Sequence, residues 1–205
     1  MFAERIAVID FETTGMSPAQ QARATEIGVA IVEDGRIVDR YQSLMNSGAW
    51  VPPFIEQLTG ISNAMLRNAP PANQVMGEVA DFVGDTPLLA HNAAFDQKFW
   101  DAELGLIRRQ RRQAFACSLL LARRLLPQAP SHKLGNLNRW ACLPDTGTAH
   151  RALADAEMAA NLLCFMGGLL RERHGIERLS HELLCSLQKI PAAKMAQALQ
   201  RIRTV

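Results

Sequence analysis

Residues 5–12 read Arg5-Ile6-Ala7-Val8-Ile9-Asp10-Phe11-Glu12, a short apolar run that closes on two acids. A continuous run of this kind predicts a buried central strand over residues 5–11. Side chains alternate faces along a strand, so Asp10 and Glu12 point the same way. Working outward, residues 26–33 form a second run rich in Val and Ile, and Asp34-Gly35 follows as a hairpin turn signal. Residues 36–45 make the return strand, so the sheet begins as an antiparallel meander.

Beyond it the pattern changes period. A loop over 46–53 is broken by Gly48, Pro52 and Pro53, and helical segments are predicted at 54–58 and 72–83. A short strand at 87–90 leads into a helix at 94–104. Another strand at 115–117 precedes a helix from Ser118, read as its cap, to Leu126, before Pro127. Residues 133–143 are helical in pattern up to Pro144, and 151–170 form the longest helical stretch, with no proline. Strands first, then strands alternating with helices, describe an α/β fold with a mixed sheet flanked by helices. Past residue 170, Gly175 is a candidate helix C-cap. Residues 178–189 and 192–203 are short amphipathic segments separated by Pro191, with Met195, Leu199 and Ile202 on one face. The expected organisation is a main domain over 1–172 and a short helical C-terminal extension over 173–205. That extension is suited to docking on its own core, on a second copy or on a protein partner.

With 205 residues, of which 48% are hydrophobic, the chain can bury a sizeable core, and disorder is excluded. A net charge of +2 says little, but Arg108-Arg109-Gln110-Arg111-Arg112 and Arg123-Arg124 are basic clusters that suit a polyanion. Cys117, Cys142, Cys164 and Cys185 include no C-x-x-C pair and read as small core residues of a reduced protein rather than a zinc site. No signal-peptide pattern opens the chain, and no apolar run is read as long enough to span a bilayer, so the expectation is a cytoplasmic protein without a membrane partner.

Chemistry enters through three separated segments. Asp10 and Glu12 close the first strand. His91-Asn92-Ala93-Ala94-Phe95-Asp96 follows a short strand, where functional groups collect in open α/β sheets. His150 precedes Asp155 by five residues, with the imidazole on the lead-in to a helix and the carboxylate one turn inside it. Each piece alone has an ordinary reading: a solvated strand end, a helix-dipole acid, a surface histidine. Together, four carboxylates and one imidazole suit phosphodiester hydrolysis with two divalent ions. The imidazole is placed to take a proton near neutral pH. His132, His174 and His181 have no such company and read as surface or linker residues.

In order and spacing, these residues resemble the DnaQ-like, or DEDD, 3′–5′ exonuclease superfamily in its histidine-bearing DEDDh branch, over residues 5–170. Thr25-Glu26-Ile27-Gly28 is similar to the family's second strand, Leu58-Thr59-Gly60-Ile61-Ser62 to its loop after the meander, and residues 88–96 to its second motif. Leu119 to Pro127 resembles the segment before the third. The resemblance implies a ribonuclease-H-like exonuclease fold with a five-stranded mixed sheet. By position it implies that Asp10, Glu12 and Asp155 hold the ion that activates water. Asp10 would bridge to a second ion, with Asp96 acting near it partly through water, and His150 would be the general base. Thr13, Thr14 and Gly15 would approach the terminal nucleotide by backbone or hydroxyl contacts, and Leu58 and Ile61 would wedge the terminal bases. Phe95 would either touch the substrate or pack beneath the site, and His91, at the same strand end, would orient backbone or substrate.

The implied cofactors are two divalent ions, Mg²⁺ or Mn²⁺, both of which accept octahedral oxygen ligation. The implied substrate is the 3′ end of single-stranded nucleic acid, DNA favoured over RNA, with release of nucleoside 5′-monophosphates. Cys117 stands where many relatives carry an aspartate, which touches the helix entry and not the chemistry. A free-standing or accessory exonuclease is favoured. An RNA-processing or oligoribonuclease-like enzyme, a polymerase proofreading subunit and a non-catalytic nucleic-acid-binding module are the alternatives.

Overall fold

The apolar run after Arg5 forms β1 (Ile6–Thr13), in which every residue but Asp10 is buried. β2 (Ala24–Glu33) lies antiparallel beside it from Ile6↔Val32 to Glu12↔Glu26. Asp34 and Gly35, both at positive φ as a tight two-residue hairpin requires, turn the chain into β3 (Arg36–Leu44). Then come α1 (Pro53–Thr59), α2 (Asn63–Arg67), α3 (Ala72–Val83), β4 (Leu88–Ala90), α4 (Ala94–Leu106), β5 (Phe115–Cys117) and α5 (Ser118–Leu125). α6 (Leu134–Trp140), α7 (Ala152–His174), α8 (His181–Leu187) and α9 (Met195–Arg203) complete the chain. This is a computed structural model, and it describes residues 2–147 and 150–203. The sheet order is β3-β2-β1-β4-β5, with β4 and β5 parallel to β1. The expected five-stranded mixed sheet flanked by helices is therefore present.

Strand alternation divides the core in two. Ile6 and Val8 of β1 join Ala30, Val32, Leu89 and residues of α5 to α9 on one face. Ala7, Ile9 and Phe11 join Ile27, Val29, Leu88 and residues of α3 and α4 on the other. Asp10 and Glu12 share the parity of Val8, so their carboxylates face α7. At Gly28, the register partner of Asp10, an added Cβ would lie 2.3 Å from backbone atoms of Ala152 and Leu153. The start of α7 thus rests directly on the sheet, and only glycine permits the approach.

Several expectations need correction. Ser118 does not cap α5: Cys117 is the N-cap residue, and the buried Ser118 hydroxyl faces the ring of His91 and the Ala90 carbonyl. α6 stops at Trp140, short of Leu143, and α2 has no counterpart in the sequence reading. Cys142 is exposed rather than core. His181 is buried, with Nε2 2.7 Å from the Leu88 carbonyl oxygen. α7 is long and apolar enough to cross a membrane by length and composition, yet more than half of its most apolar window is buried against the sheet and its neighbours.

Gly175 does terminate α7, at φ 66°, with its N–H donating to Arg171. The expected boundary at 172/173 falls just inside that helix. The apolar face of Met195, Leu199 and Ile202 joins Leu184 and Leu187 on the same cluster as α7. Gln188 does more specific work at the sheet edge: its amide accepts from Cys117 N (2.6 Å) and donates to the Phe115 carbonyl (3.2 Å). A side chain here satisfies backbone groups that a sixth strand would otherwise pair.

Candidate active site

The carboxylates of Asp10 and Glu12 leave β1 toward α7, and that helix brings Asp155 on its first turn to meet them. Glu12, Asp155 and His150 present ligand atoms that all lie within 4.8 Å of one another. His150 sits at φ 62°, in the left-handed region, and its backbone N–H donates to Asp155 Oδ2 at 3.0 Å. The imidazole is exposed while the main chain is pinned to the carboxylate. Asp96 comes from the opposite layer, at the start of α4. Buried, it accepts from the Phe11 N–H at 3.1 Å, between the two β1 acids. Asp10, Glu12, Asp96, His150 and Asp155 are therefore brought together from three segments: β1, the start of α4 and the entry to α7.

This cluster is short of compensating cations. Burial, and then the charges of Asp96, Asp155, Glu12 and Glu26, push the Asp10 carboxyl well above its ordinary range. Burial pushes Glu12 up to about 8, reinforced by Asp155 and Glu26 and opposed by Arg151. Asp96 also rises to about 8, chiefly through burial, against the donation from Phe11. Asp155 is raised by burial, with the His150 N–H opposing. Close-set carboxylate oxygens are what a hard divalent cation takes as ligands, and its charge would offset the burial and mutual repulsion that hold their protons.

The surrounding residues sort by geometry. The Thr13 hydroxyl donates to the Gly15 carbonyl (2.7 Å), which shapes the loop and uses its one proton there. Thr14 Oγ1 accepts from Arg23 N at 3.0 Å, and Gly15 packs near Ala22. Leu58 is 52% exposed, whereas Ile61 is fully buried with Val51, Ile55 and Leu66. The wedge expected of both can involve only Leu58; Ile61 supports the loop from beneath. Phe95 stacks against Phe99 at 5.0 Å between centroids and packs on the core. His91 is used at both ring nitrogens, by Ser118 Oγ (3.0 Å) and the His132 carbonyl (3.1 Å). Burial holds its pKa down at about 4. With both nitrogens engaged, the neutral ring is held in the wall of the site and has no nitrogen left to bond a substrate.

Two glutamates without an assigned role in the sequence reading hold the site in place. Glu26 is fully buried opposite Glu12 and receives Arg151 through two bonds (2.7 and 3.1 Å), together with the Ala152 N–H at 3.0 Å. Burial raises its pKa, but the bonds from Arg151, Ala152 and Gln42 outweigh this, leaving the carboxyl below its ordinary value. This clamp ties β2 to the start of α7, between His150 and Asp155. Glu103 likewise takes Arg23 through two bonds (2.8 and 2.9 Å) and the Ala24 N–H, fixing the base of the loop that carries Thr14. The available signal was a lone acid inside an apolar strand, which demands a partner. The partner lies 125 residues away.

Against known proteins, residues 7–163 match a family model described as exonuclease. The chain is 36% identical over 162 residues to the 3′–5′ exonuclease DinG of Bacillus subtilis, covering 77% of this chain and 17% of that one. It is 32% identical over 156 residues to the DNA polymerase III subunit epsilon of Aquifex aeolicus, covering 76% of each. The solved exonuclease X in complex with 5′-overhanging duplex DNA superposes with a TM-score of 0.66 at 27% identity, over 80% of this chain and 91% of that one. Several curated relatives are far longer: the chain spans between 13% and 25% of the length of three of them.

Proposed function

The chain belongs to the DnaQ-like (DEDDh) exonuclease family, and from that premise we propose that it is a divalent-metal-dependent 3′–5′ exonuclease. In this reading it hydrolyses phosphodiester bonds at the 3′ end of single-stranded nucleic acid, DNA favoured, and releases nucleoside 5′-monophosphates. The observation that carries it is the meeting of Asp10, Glu12, Asp96 and Asp155 beside an exposed imidazole, at a site whose neighbouring guanidinium, that of Arg151, already serves Glu26.

Asp10, Glu12 and Asp155 would hold one ion, with Asp10 and Asp96 serving a second. Two ions would stabilise charge on both the attacking and the leaving oxygen. The protein supplies the rest. His150 takes the proton of the attacking water, its exposed ring free to move while its backbone is held by Asp155. Asp10 and Asp96, fixed by β1 and by the Phe11 N–H, keep the acidic floor from reorganising during the reaction. Leu58 meets the terminal base through stacking-type contact, which needs no base-edge hydrogen bond. The Thr14–Gly15 backbone lines the approach.

The test is incubation with 5′-labelled single-stranded DNA and RNA of matched sequence, in Mg²⁺ or Mn²⁺, beside Asp10→Ala. A ladder that shortens from the 3′ end and is absent in the variant supports the reading and reports the preferred sugar. Binding without shortening of either polymer would overturn it. A duplex with a recessed 3′ end belongs in the same series, because exonuclease X was solved on a 5′-overhanging duplex. Attachment to a polymerase is the second reading, favoured by the likeness to the epsilon subunit over 76% of both chains.

A further inference from the structure

β1, β4 and β5 run parallel, and their carboxyl ends form a row: the acids on β1, then His91 after β4, then Ser118 after β5. Adjacent strands lie ~4.8 Å apart, so the end of β5 is about 10 Å from that of β1. There a groove opens, with a cavity of about 510 Å³ lined by His91, Asn92, Arg123, His132 and Lys133, with Leu119 and Leu134. None of these lining residues is an acid. Arg123 and Lys133 are exposed, and neither side chain has an ion pair or hydrogen bond among the described residues. The neighbouring Arg124, by contrast, gives its guanidinium to the Ile190 and Leu120 carbonyls.

The groove is also built rigidly. The His91 ring bridges Ser118 and the His132 carbonyl, and His132 Nε2 meets the Leu126 carbonyl at 3.2 Å. The loop bearing Lys133 is thereby fixed to the sheet end. Asn92 stands exposed on the near side at φ 69°, its backbone carbonyl taken by Phe95 N.

We propose that this groove is a phosphate-backbone subsite. It takes internucleotide phosphates of the substrate strand on the 5′ side of the scissile bond, with Arg123 and Lys133 as the cations and the Asn92 amide as a donor. A stacked strand advances ~3.4 Å per nucleotide, so a reach of about 10 Å places the contacts within roughly three nucleotides of the reacting end. The physical need is plain: an acidic floor repels a polyanion, and a cationic groove beside it retains the polymer while its end enters. The assignment rests on the exonuclease reading.

The Arg108–Arg112 run is the competing basic patch, and its geometry is different. Arg109 pairs with Asp81 at 2.5 Å. Arg111 pairs with Asp101 and lies over the Phe115 ring at 5.4 Å. The run follows the far end of α4, a helix of 13 residues and so ~20 Å long, whose other end carries Asp96.

The experiment measures binding of a single-stranded 20-nucleotide DNA without divalent ions across a salt series. It compares the native protein, the Arg123→Ala/Lys133→Ala variant and the Arg108→Ala/Arg112→Ala variant. The groove variant should lower the slope of log K against log[salt] by about 1.4, at ~0.7 per lost phosphate contact, while the other variant keeps the native slope. A groove variant with the native slope, or an equal fall in both variants, would overturn the proposal. The two readings fail differently. Loss of the nuclease reading shows as no 3′ shortening in Mg²⁺ with the salt-slope difference intact. Loss of the groove shows as shortening with no slope difference.

Discussion

Two groups of largely buried carboxylates lie within a few residues of each other in this fold, and the structure treats them in opposite ways. Glu26 and Glu103 each receive a guanidinium through two bonds and a backbone N–H. Among the described residues, Asp10, Glu12, Asp96 and Asp155 have no guanidinium bonded to them: Asp96 and Asp155 each accept one backbone N–H, Arg151 acts on Glu12 only through its charge, and the four acids repel one another. The decisive difference is the countercharge. A buried acid with its own arginine is complete and serves as scaffold; clustered acids without one are suited to hold a divalent cation. Glu12 and Glu26 make the contrast sharpest, since they are register partners across β1 and β2.

The comparison breaks cleanly if substitutions in the two groups have the same consequence. Asp10→Asn or Asp155→Asn should reduce cleavage below detection without lowering the melting temperature of metal-free protein, because each relieves repulsion. A loss of stability like that of a scaffold acid would merge the groups. Next in size, His150→Ala should slow turnover by about 10²–10⁴-fold, typical of a lost general base. His150→Asn, which tolerates left-handed backbone, separates lost chemistry from backbone strain. If the Asn variant turns over at the native rate, His150 is not the base.

On the scaffold side, Arg151→Ala leaves Glu26 buried and unpaired, and should cost about 3–5 kcal/mol in denaturant unfolding. Replacing both partners, Arg151→Met with Glu26→Gln, should recover most of that loss. No recovery would mean that the pair acts through packing rather than charge. A further effect is one of pH. Glu12 and Asp96 sit at about 8, above their ordinary 4.5 and 3.8, so the folded chain binds these protons more tightly than the unfolded one. Their contribution to stability is full below the ordinary values and is lost as pH rises through about 8. Metal-free protein should therefore melt at falling temperature from about pH 5 to pH 8, a slope made shallower in the Asp96→Asn/Glu12→Gln variant, where Asp10 and Asp155 alone of the four acids still titrate.

Much of this was legible in the sequence because local periodicity carried it. The apolar run of β1, the Asp34-Gly35 turn and the limits of α3 and β5 follow from patterns a few residues wide. The five site residues were legible because their residue types and order form a joint pattern. What escaped was long-range or too short. α2 spans five residues, too few for a helical period to register. Ile61 and Leu58 look alike in sequence, and only the Val51–Leu66 cluster buries one and leaves the other exposed. Gln188 pairing with the edge of β5, and Arg151 with Glu26, join residues whose separation no local rule spans.

The central claim is that the unpaired acids form a divalent-cation site. It is tested most directly by titrating Mn²⁺ into the native protein and Asp10→Asn at about pH 8 while following the melting temperature. The account predicts a saturable rise for the native chain, equivalent to about 2.7 kcal/mol at a hundred times Kd, and little or none for the variant. An equal rise in both proteins, or none in the native one, would contradict it.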